Sequence, residues 1–318
     1  MAILVATPAC KMSGLYSSPI PKSIDPKSAI CEHVVKLIVF DPIYNKCHTA
    51  GTGVIILNSV IMTAAHVIDD IFEKQNPFNL KIKVENDVCD VHGCEVWVIQ
   101  ILPNDQEYLS IWTPHKIFRS TYSDMCLIQI VPYNDIAAQY KKAKRWGAPV
   151  LNLNPPSVGE KIFSFGYHGT EMKFSINEAG GNHIDIQDKP TLSSGKVTKI
   201  YPVGRDTVKL PFPCFETNSY AESGMSGGPA FNKNGELCGI ISTSLPNEDK
   251  TVYTSYILSL WPIMANALSI EINGELGNHS LLDLIKNKVL DGSQFIGHEF
   301  LSVNDGKISN RKLIDKLE

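Results

Sequence analysis

The stretch Gly224-Met225-Ser226-Gly227-Gly228-Pro229 places one serine inside a run of glycines. Glycines permit a tight turn, so the N–H groups of Gly224 and Ser226 can point at one spot beside Ser226 Oγ. Two such donors stabilise the negative oxygen that forms when a nucleophile attacks a carbonyl. A serine hydroxyl is a poor nucleophile until a base removes its proton. The stretch therefore predicts acyl-transfer chemistry only if a histidine and an orienting carboxylate lie elsewhere in the chain.

A histidine with suitable surroundings follows two predicted strands. Residues 51–57 and 60–64 are rich in apolar and β-branched side chains, an Asn58-Ser59 turn joins them, and His66 comes directly afterwards. A β-hairpin of this kind holds the segment that follows it in a fixed place. We interpret His66 as the general base that takes the proton of Ser226.

The carboxylate is Asp124, at the start of the apolar run from Met125 to Ile130. That run predicts a buried strand, and a carboxylate directly before a buried strand needs a hydrogen-bond partner. A histidine N–H supplies such a partner. We interpret Asp124 as the residue that orients His66 and stabilises its protonated form.

With these residues in the order His, Asp, Ser, the chain resembles the trypsin-like serine proteases of the chymotrypsin fold, and within them the HtrA-like bacterial branch. Four more segments resemble the strands around the serine loop of that family: 158–167, 192–197, 215–218 and 235–242. The resemblance covers about residues 30–265. It implies an all-β fold of two six-stranded antiparallel β-barrels, an oxyanion hole formed by the amides of Gly224 and Ser226, and serine endopeptidase activity without a cofactor.

The same resemblance divides the chain into five parts. We expect an N-terminal extension (1–29), a first β-barrel (30–135), a linker (136–156), a second β-barrel with its closing helix (157–268) and a helical C-terminal extension (269–318). The extension is too short for the PDZ domain that HtrA proteases usually carry. Ser280 and Asp283 predict a capping box, and an apolar face is expected from Leu281, Leu282, Ile285 and Val289.

The resemblance also implies a pocket for the substrate side chain before the scissile bond, the P1 residue. Its expected floor is Tyr220 and Ala221, and its expected walls are Ser242, Thr243, Ser244 and Thr251. Glu222 is expected to face away. Because Ser244 and Thr251 stand where glycines keep deep pockets open, we expect a shallow pocket and a small or medium, uncharged P1 residue.

Two departures from the secreted trypsins concern residues beside the site. Met225 stands where those enzymes have an aspartate that pairs with a newly cut N-terminus, and Val67 replaces a disulfide-forming cysteine. The eight cysteines match no secreted framework, and the first residues are a poor secretory signal. We therefore expect reduced thiols and a cytoplasmic protein.

Composition narrows the range of partners. The 318 residues are 43% hydrophobic and 19% charged, as in ordinary globular proteins, and the net charge of −4 favours neither nucleic acid nor an acidic membrane as a partner. Protein or peptide substrates are expected, and a regulatory partner stays unspecified. Cys89, His92 and Cys94 have a spacing that fits no common zinc site, so no metal is expected.

Two other functions are compatible with the same residues. A barrel of this family can lose catalysis and act as a binding module, although all three catalytic side chains and the oxyanion glycine are present here. A protease of narrow range, active on one partner or after a trigger, is the second alternative. A serine-directed covalent probe distinguishes them, because it does not label a binding module.

Overall fold

The computed structural model describes two β-barrels and the segments packed on them. The described residues are 22–23, 29–41, 46–75, 81–85, 88–92, 96–101, 109–143, 148–176, 182–246, 253–272, 275–290, 295–297, 299, 301–304 and 307–309. Thr251, an expected wall of the P1 pocket, lies outside them. None of the helices in these ranges is long and apolar enough to cross a bilayer.

The first half of the chain forms one closed barrel. The elements of this half are β1 (Lys22–Ser23), α1 (Ala29–His33), β2 (Val34–Asp41), β3 (Lys46–Leu57), β4 (Val60–Ala64), α2 (Ala65–Gln75), β5 (Lys81–Glu85), β6 (Val88–His92), β7 (Val96–Gln100), β8 (Ser110–Arg119), β9 (Met125–Pro132) and α3 (Asp135–Ala143). Of these, β1 is not part of this barrel, because it pairs with Thr191 and Leu192 in the other half of the chain. Six antiparallel strands follow the order β8-β7-β2-β3-β4-β9, and pairing of β9 with β8 closes the barrel. The β5–β6 hairpin extends the sheet beyond β8.

The hairpin before His66 has the predicted form. Ser59 adopts a φ of 59° in the turn between β3 and β4, and every residue of β4 is buried. The chain turns from β4 directly into α2 at Ala65, which places His66 in the first turn of that helix. His66 therefore lies at the edge of the barrel on a well-packed support.

The second half forms the other barrel and the C-terminal extension. Its elements are β10 (Leu151–Asn152), β11 (Lys161–Ile176), β12 (Asn182–Tyr201), β13 (Cys214–Thr217), β14 (Pro229–Phe231), β15 (Leu237–Pro246), β16 (Tyr253–Ser259), a 3₁₀ turn (Trp261–Ala265), β17 (Ala267–Ile272), β18 (Glu275–Ser280), α4 (Leu281–Lys286), β19 (Phe295–Ile296), β20 (Ser302–Asn304) and β21 (Lys307–Ser309). Six antiparallel strands close as β14-β11-β12-β13-β16-β15, with β14 paired to β15. The short β10 adds to β15 in parallel.

One continuous apolar cluster joins the two barrels. Val54 and Leu127 from the first barrel belong to the same cluster as Phe163 and Phe165 from the second, and all four are almost fully buried. Burial of one such side chain contributes about 1.5–3 kcal/mol relative to leaving it exposed. The packing between the barrels is therefore part of the core.

The C-terminal extension differs from the helical expectation. Among its described residues α-helix is confined to the six residues of α4, whereas β17 and β18 form an antiparallel hairpin. The predicted capping box at Ser280 is present, and Leu281 and Leu284 are fully buried in the cluster that joins the barrels. Val289 is 40% exposed because the helix ends before it. The extension thus completes the core instead of forming a separate helical unit.

Candidate active site

The serine loop connects β13 to β14, and two of its glycines are required by close contacts. Gly224 has a φ of 95°, and a Cβ there would lie 2.8 Å from the carbonyl oxygen of Tyr167. Gly227 has a φ of 82°, and a Cβ there would overlap Thr63 and Thr52 of the first barrel. Met225 between them is fully buried. The glycines therefore let the loop pass directly against the first barrel.

Asp124 holds His66 at two points. The His66 ring donates from Nδ1 to Asp124 Oδ2 over 2.7 Å, and the backbone N–H of His66 donates to Asp124 Oδ1 over 2.9 Å. This arrangement fixes the ring orientation and leaves Nε2 as the nitrogen that can act on a substrate or on Ser226. Strand β9 begins at Met125, so the barrel closure places this carboxylate beside α2.

The charges around His66 favour its protonated form. Burial of the ring opposes protonation, but the hydrogen bond and negative charge of Asp124, with further contributions from Asp70 and Asp69, outweigh it and raise the pKa of His66 above its ordinary value. A base whose pKa is raised in this way holds a transferred proton more firmly.

Ser242 completes the site from the second barrel. Its hydroxyl donates to Asp124 Oδ2 over 2.8 Å, and its carbonyl accepts a hydrogen bond of 3.0 Å from the hydroxyl of Ser226. Although both Ser226 and His66 are described, no hydrogen bond joins Ser226 Oγ to the imidazole in this arrangement. For catalysis the Ser226 hydroxyl has to direct its proton to Nε2 instead of to the Ser242 carbonyl. Sequence reasoning placed Ser242 in a pocket wall and missed its contact with Asp124.

Thr52 on β3 fastens the serine loop to both barrels. Its backbone N–H donates to the carbonyl of Ser226 over 2.8 Å, and its hydroxyl donates to the carbonyl of Gly224 over 2.7 Å. The same hydroxyl accepts a 3.1 Å bond from the N–H of Tyr167 on β11. Thr52 is fully buried. The carbonyls of Gly224 and Ser226 are thus hydrogen-bonded to Thr52, whereas the amides of the same two residues have no acceptor among the described residues.

The family model of the trypsin-like peptidase domain matches residues 51–240, more than half of the chain. The chain belongs to the trypsin-like peptidase family. It is a serine endopeptidase by that membership, and peptides or proteins are its substrates. No curated protein matches its sequence.

Solved structures similar to this trypsin-like peptidase include three bacterial proteases. The active form of Rv3671c protease from Mycobacterium tuberculosis has 18% identity and a TM-score of 0.44, over 75% of this chain and 81% of that chain. The MamO protease domain from Magnetospirillum magneticum has 13% identity and a TM-score of 0.42, over 73% and 94%. The HtrA-type protease AlgW with a tripeptide has 15% identity and a TM-score of 0.42, over 73% and 57%.

A cavity of about 430 Å³ adjoins Ser226 in this trypsin-like peptidase. Of the expected pocket residues, Ala221, Thr243 and Ser244 line it, whereas Ser242 lines a second cavity and Tyr220 lines neither. The Tyr220 ring packs instead against the ring of Tyr253, and Tyr253 lines the cavity adjoining Ser226. We call this cavity the P1 pocket.

The expectation that Glu222 faces away from the P1 pocket is wrong. Glu222 lines the pocket, and its carboxylate accepts a 3.3 Å hydrogen bond from the hydroxyl of Tyr253. His168 Nδ1 lies 3.7 Å from Glu222 Oε2. Burial lowers the pKa of His168 more than Glu222 raises it, and Lys189 lowers it further. The pocket wall therefore contains the Glu222 carboxylate, and the lowered pKa of His168 disfavours the imidazolium that would neutralise it.

The residues considered for zinc fall in part outside what the structure describes. Cys94 lies outside the described residues, as do the side chains of Cys89 and His92. Elsewhere, the described ranges contain no group of three His, Cys, Asp or Glu side chains that could hold a metal ion.

Proposed function

We propose that this trypsin-like peptidase hydrolyses peptide bonds through an acyl-enzyme formed on Ser226. His66 Nε2 takes the Ser226 proton as Oγ attacks the scissile carbonyl, and the same imidazolium then protonates the leaving amine. Water, deprotonated by His66, attacks the acyl-enzyme and releases the acid, and the proton returns to Ser226. Each step needs an imidazole that keeps one orientation in both protonation states.

One observation carries this proposal: Asp124 is bonded to the His66 ring and to the His66 backbone at once. A carboxylate that only neutralised a surface charge would not need both contacts. Hydrogen bonds from Ser242 and from the His66 ring converge on Asp124 Oδ2, so the carboxylate is fixed before substrate arrives. Preorganised donors and acceptors of this kind supply much of the rate enhancement in acyl transfer.

The amides of Gly224 and Ser226 are the donors that we propose for the oxyanion. Their carbonyls are bonded to Thr52, and no described residue takes up the amides themselves. Loss of one such donor typically reduces kcat by about 10²–10³.

We further propose a restricted substrate range. Ser244 narrows the P1 pocket, and Glu222 makes its wall negative, so an acidic P1 side chain is excluded. The uncharged P1 preference inferred from the sequence depended on Glu222 facing away. With the carboxylate in the wall, a polar or cationic P1 residue of moderate length is favoured instead.

A fluorophosphonate probe tests the proposed chemistry directly, because it needs the activated serine and no knowledge of the substrate. We expect stoichiometric labelling of Ser226 in the wild type, none in Ser226→Ala, and retained labelling in Ser223→Ala. Ser223 is the matched control, since it lies in the same loop and lines the same pocket. A folded wild-type protein that resists labelling would instead support the binding-module function. Labelling without hydrolysis of denatured proteins would support the narrow or triggered protease.

A further inference from the structure

A second and larger cavity, of about 700 Å³, is lined by His66 and Asp124. Thr243 lines both cavities, and β15 runs along them. A peptide whose P1 side chain occupies the P1 pocket can therefore extend its preceding residues, P2 to P4, into the larger cavity. We call it the P2–P4 cavity, a use that rests on the function proposed above.

The charges that line the P2–P4 cavity are mostly paired. Arg119 lies 2.6 Å from Asp69, and Arg205 lies 2.7 Å from Asp206. Asp124 accepts the hydrogen bonds already described. Lys209 lines the same cavity, and no carboxylate in the described part of the chain lies within ion-pairing distance of it. The cavity thus presents one ammonium group that no carboxylate of the described residues neutralises.

The backbone around Lys209 is held in a fixed turn. Asp206 Oδ1 accepts from the amides of Val208, Lys209 and Leu210 at 2.9, 2.6 and 3.3 Å. Those hydrogen bonds, led by the one from Lys209, hold the pKa of Asp206 well below its usual range. Arg205 stacks on the ring of Tyr256 at 4.6 Å. A cation presented on a rigid turn loses less backbone entropy when it binds a ligand.

A second polar group of the P2–P4 cavity also lacks a partner within the part of the chain that the structure describes. Ser123, next to Asp124 in the chain, is 2% exposed and lines the cavity. Its hydroxyl is buried and has no hydrogen-bond partner among the described residues. A buried hydroxyl without a partner is unfavourable, and a ligand that supplies an acceptor relieves this cost.

We propose that the P2–P4 cavity is a specificity site for an acidic substrate side chain, which Lys209 binds. A carboxylate takes up the unmatched ammonium, and a polar ligand in the cavity offers Ser123 an acceptor. Apolar contacts are available from Leu210, Phe212 and Leu245, which line the same cavity. The substrate class is therefore a peptide with aspartate or glutamate at P2, P3 or P4.

Peptidyl diphenyl phosphonates test this without requiring turnover. All compounds share the same P1 residue, and they differ in having aspartate or asparagine at P2, P3 or P4. The second-order rate constant for labelling Ser226 is measured for each compound. We expect aspartate to exceed asparagine about threefold to fivefold at one of these positions, because Lys209 is exposed and partly screened. The ratio should fall to about one in Lys209→Met and invert in Lys209→Glu. High salt should reduce it in the wild type.

Lys233→Met is the matched control, since it removes one exposed lysine that lines neither cavity. It should leave the ratio unchanged. Equal labelling by aspartate and asparagine phosphonates would overturn the acidic specificity while leaving the serine chemistry intact. A ratio that persists in Lys209→Met would overturn the role of Lys209. Failure of a simple fluorophosphonate to label Ser226 would overturn the proposed function and this inference with it.

Discussion

Replacement of Thr52 by valine should impair catalysis far more than substrate binding. Valine has nearly the same shape but lacks the hydroxyl that bonds the carbonyl of Gly224 and the N–H of Tyr167. The backbone bond from residue 52 to Ser226 is retained. The variant therefore frees one side of the oxyanion loop while the nucleophile stays attached.

The size of the effect follows from these contacts. Two buried groups lose their partner, and each unsatisfied group costs about 1–3 kcal/mol, so the free energy of unfolding should fall by about 2–6 kcal/mol. Gly224 has no side chain to restrain it, and a shift of its amide by about 1 Å lowers the rate by about 10²-fold. We expect kcat to fall by about 10- to 100-fold with little change in KM, because Thr52 lines neither cavity.

The assay is hydrolysis of p-nitrophenyl acetate, with urea unfolding measured on the same samples. Thr52→Ser keeps the hydroxyl and should retain most of kcat. Ile99→Ala controls for lost stability, since Ile99 packs with Ile38 and Trp97 on the first barrel and its truncation costs about 2–5 kcal/mol. The reasoning is refuted if Thr52→Val keeps kcat within about twofold of Thr52→Ser, or if Ile99→Ala loses as much kcat as Thr52→Val.

Two further predictions concern charge. Activity should rise with pH through a single limb above the ordinary histidine value of about 6.5, because only neutral His66 accepts the Ser226 proton and its pKa is raised. The protonated His66–Asp124 pair stabilises the fold at low pH, so the stability that it adds is lost as the pH rises through the pKa of His66. A pH–rate profile that is flat from acid to alkali would exclude a histidine base. Replacement of Glu222 by glutamine should lower the ratio of kcat/KM for lysine over norleucine at P1 by about threefold. The ratio is measured by hydrolysis of two peptides that differ only at P1, and Ser223→Ala should leave it unchanged. If Glu222→Gln does not alter the ratio, the Glu222 carboxylate does not contribute to P1 selectivity.

The barrel strands could be predicted because their patterns are local. The Asn58-Ser59 turn between two apolar runs and the glycines around Ser226 each have one simple structural solution. Asp124 was identifiable for a similar reason, since a carboxylate at the start of a buried strand requires a partner.

Residues whose role depends on contacts between the barrels were not identifiable in this way. Thr52 stands between two glycines in a strand whose sequence pattern does not mark it as functional. Its hydroxyl donates a hydrogen bond to Gly224, which lies 172 positions further along the chain. Glu222 was misplaced because the direction of a loop side chain has no periodicity to indicate it. The β17–β18 hairpin of the extension was not predicted, because the amphipathic pattern of residues 281–286 indicates a helix but not that the residues before it pair as strands.

The division of the catalytic groups between the barrels has a consequence for inactivation. His66 and Asp124 belong to the first barrel and Ser226 to the second, so the three catalytic groups come together only at one relative placement of the two barrels. A displacement that leaves each barrel folded is enough to separate the nucleophile from its base. Loss of activity on heating should therefore precede loss of β-structure. A ligand that binds across the interface between the two barrels would raise the temperature at which activity is lost, even without touching Ser226.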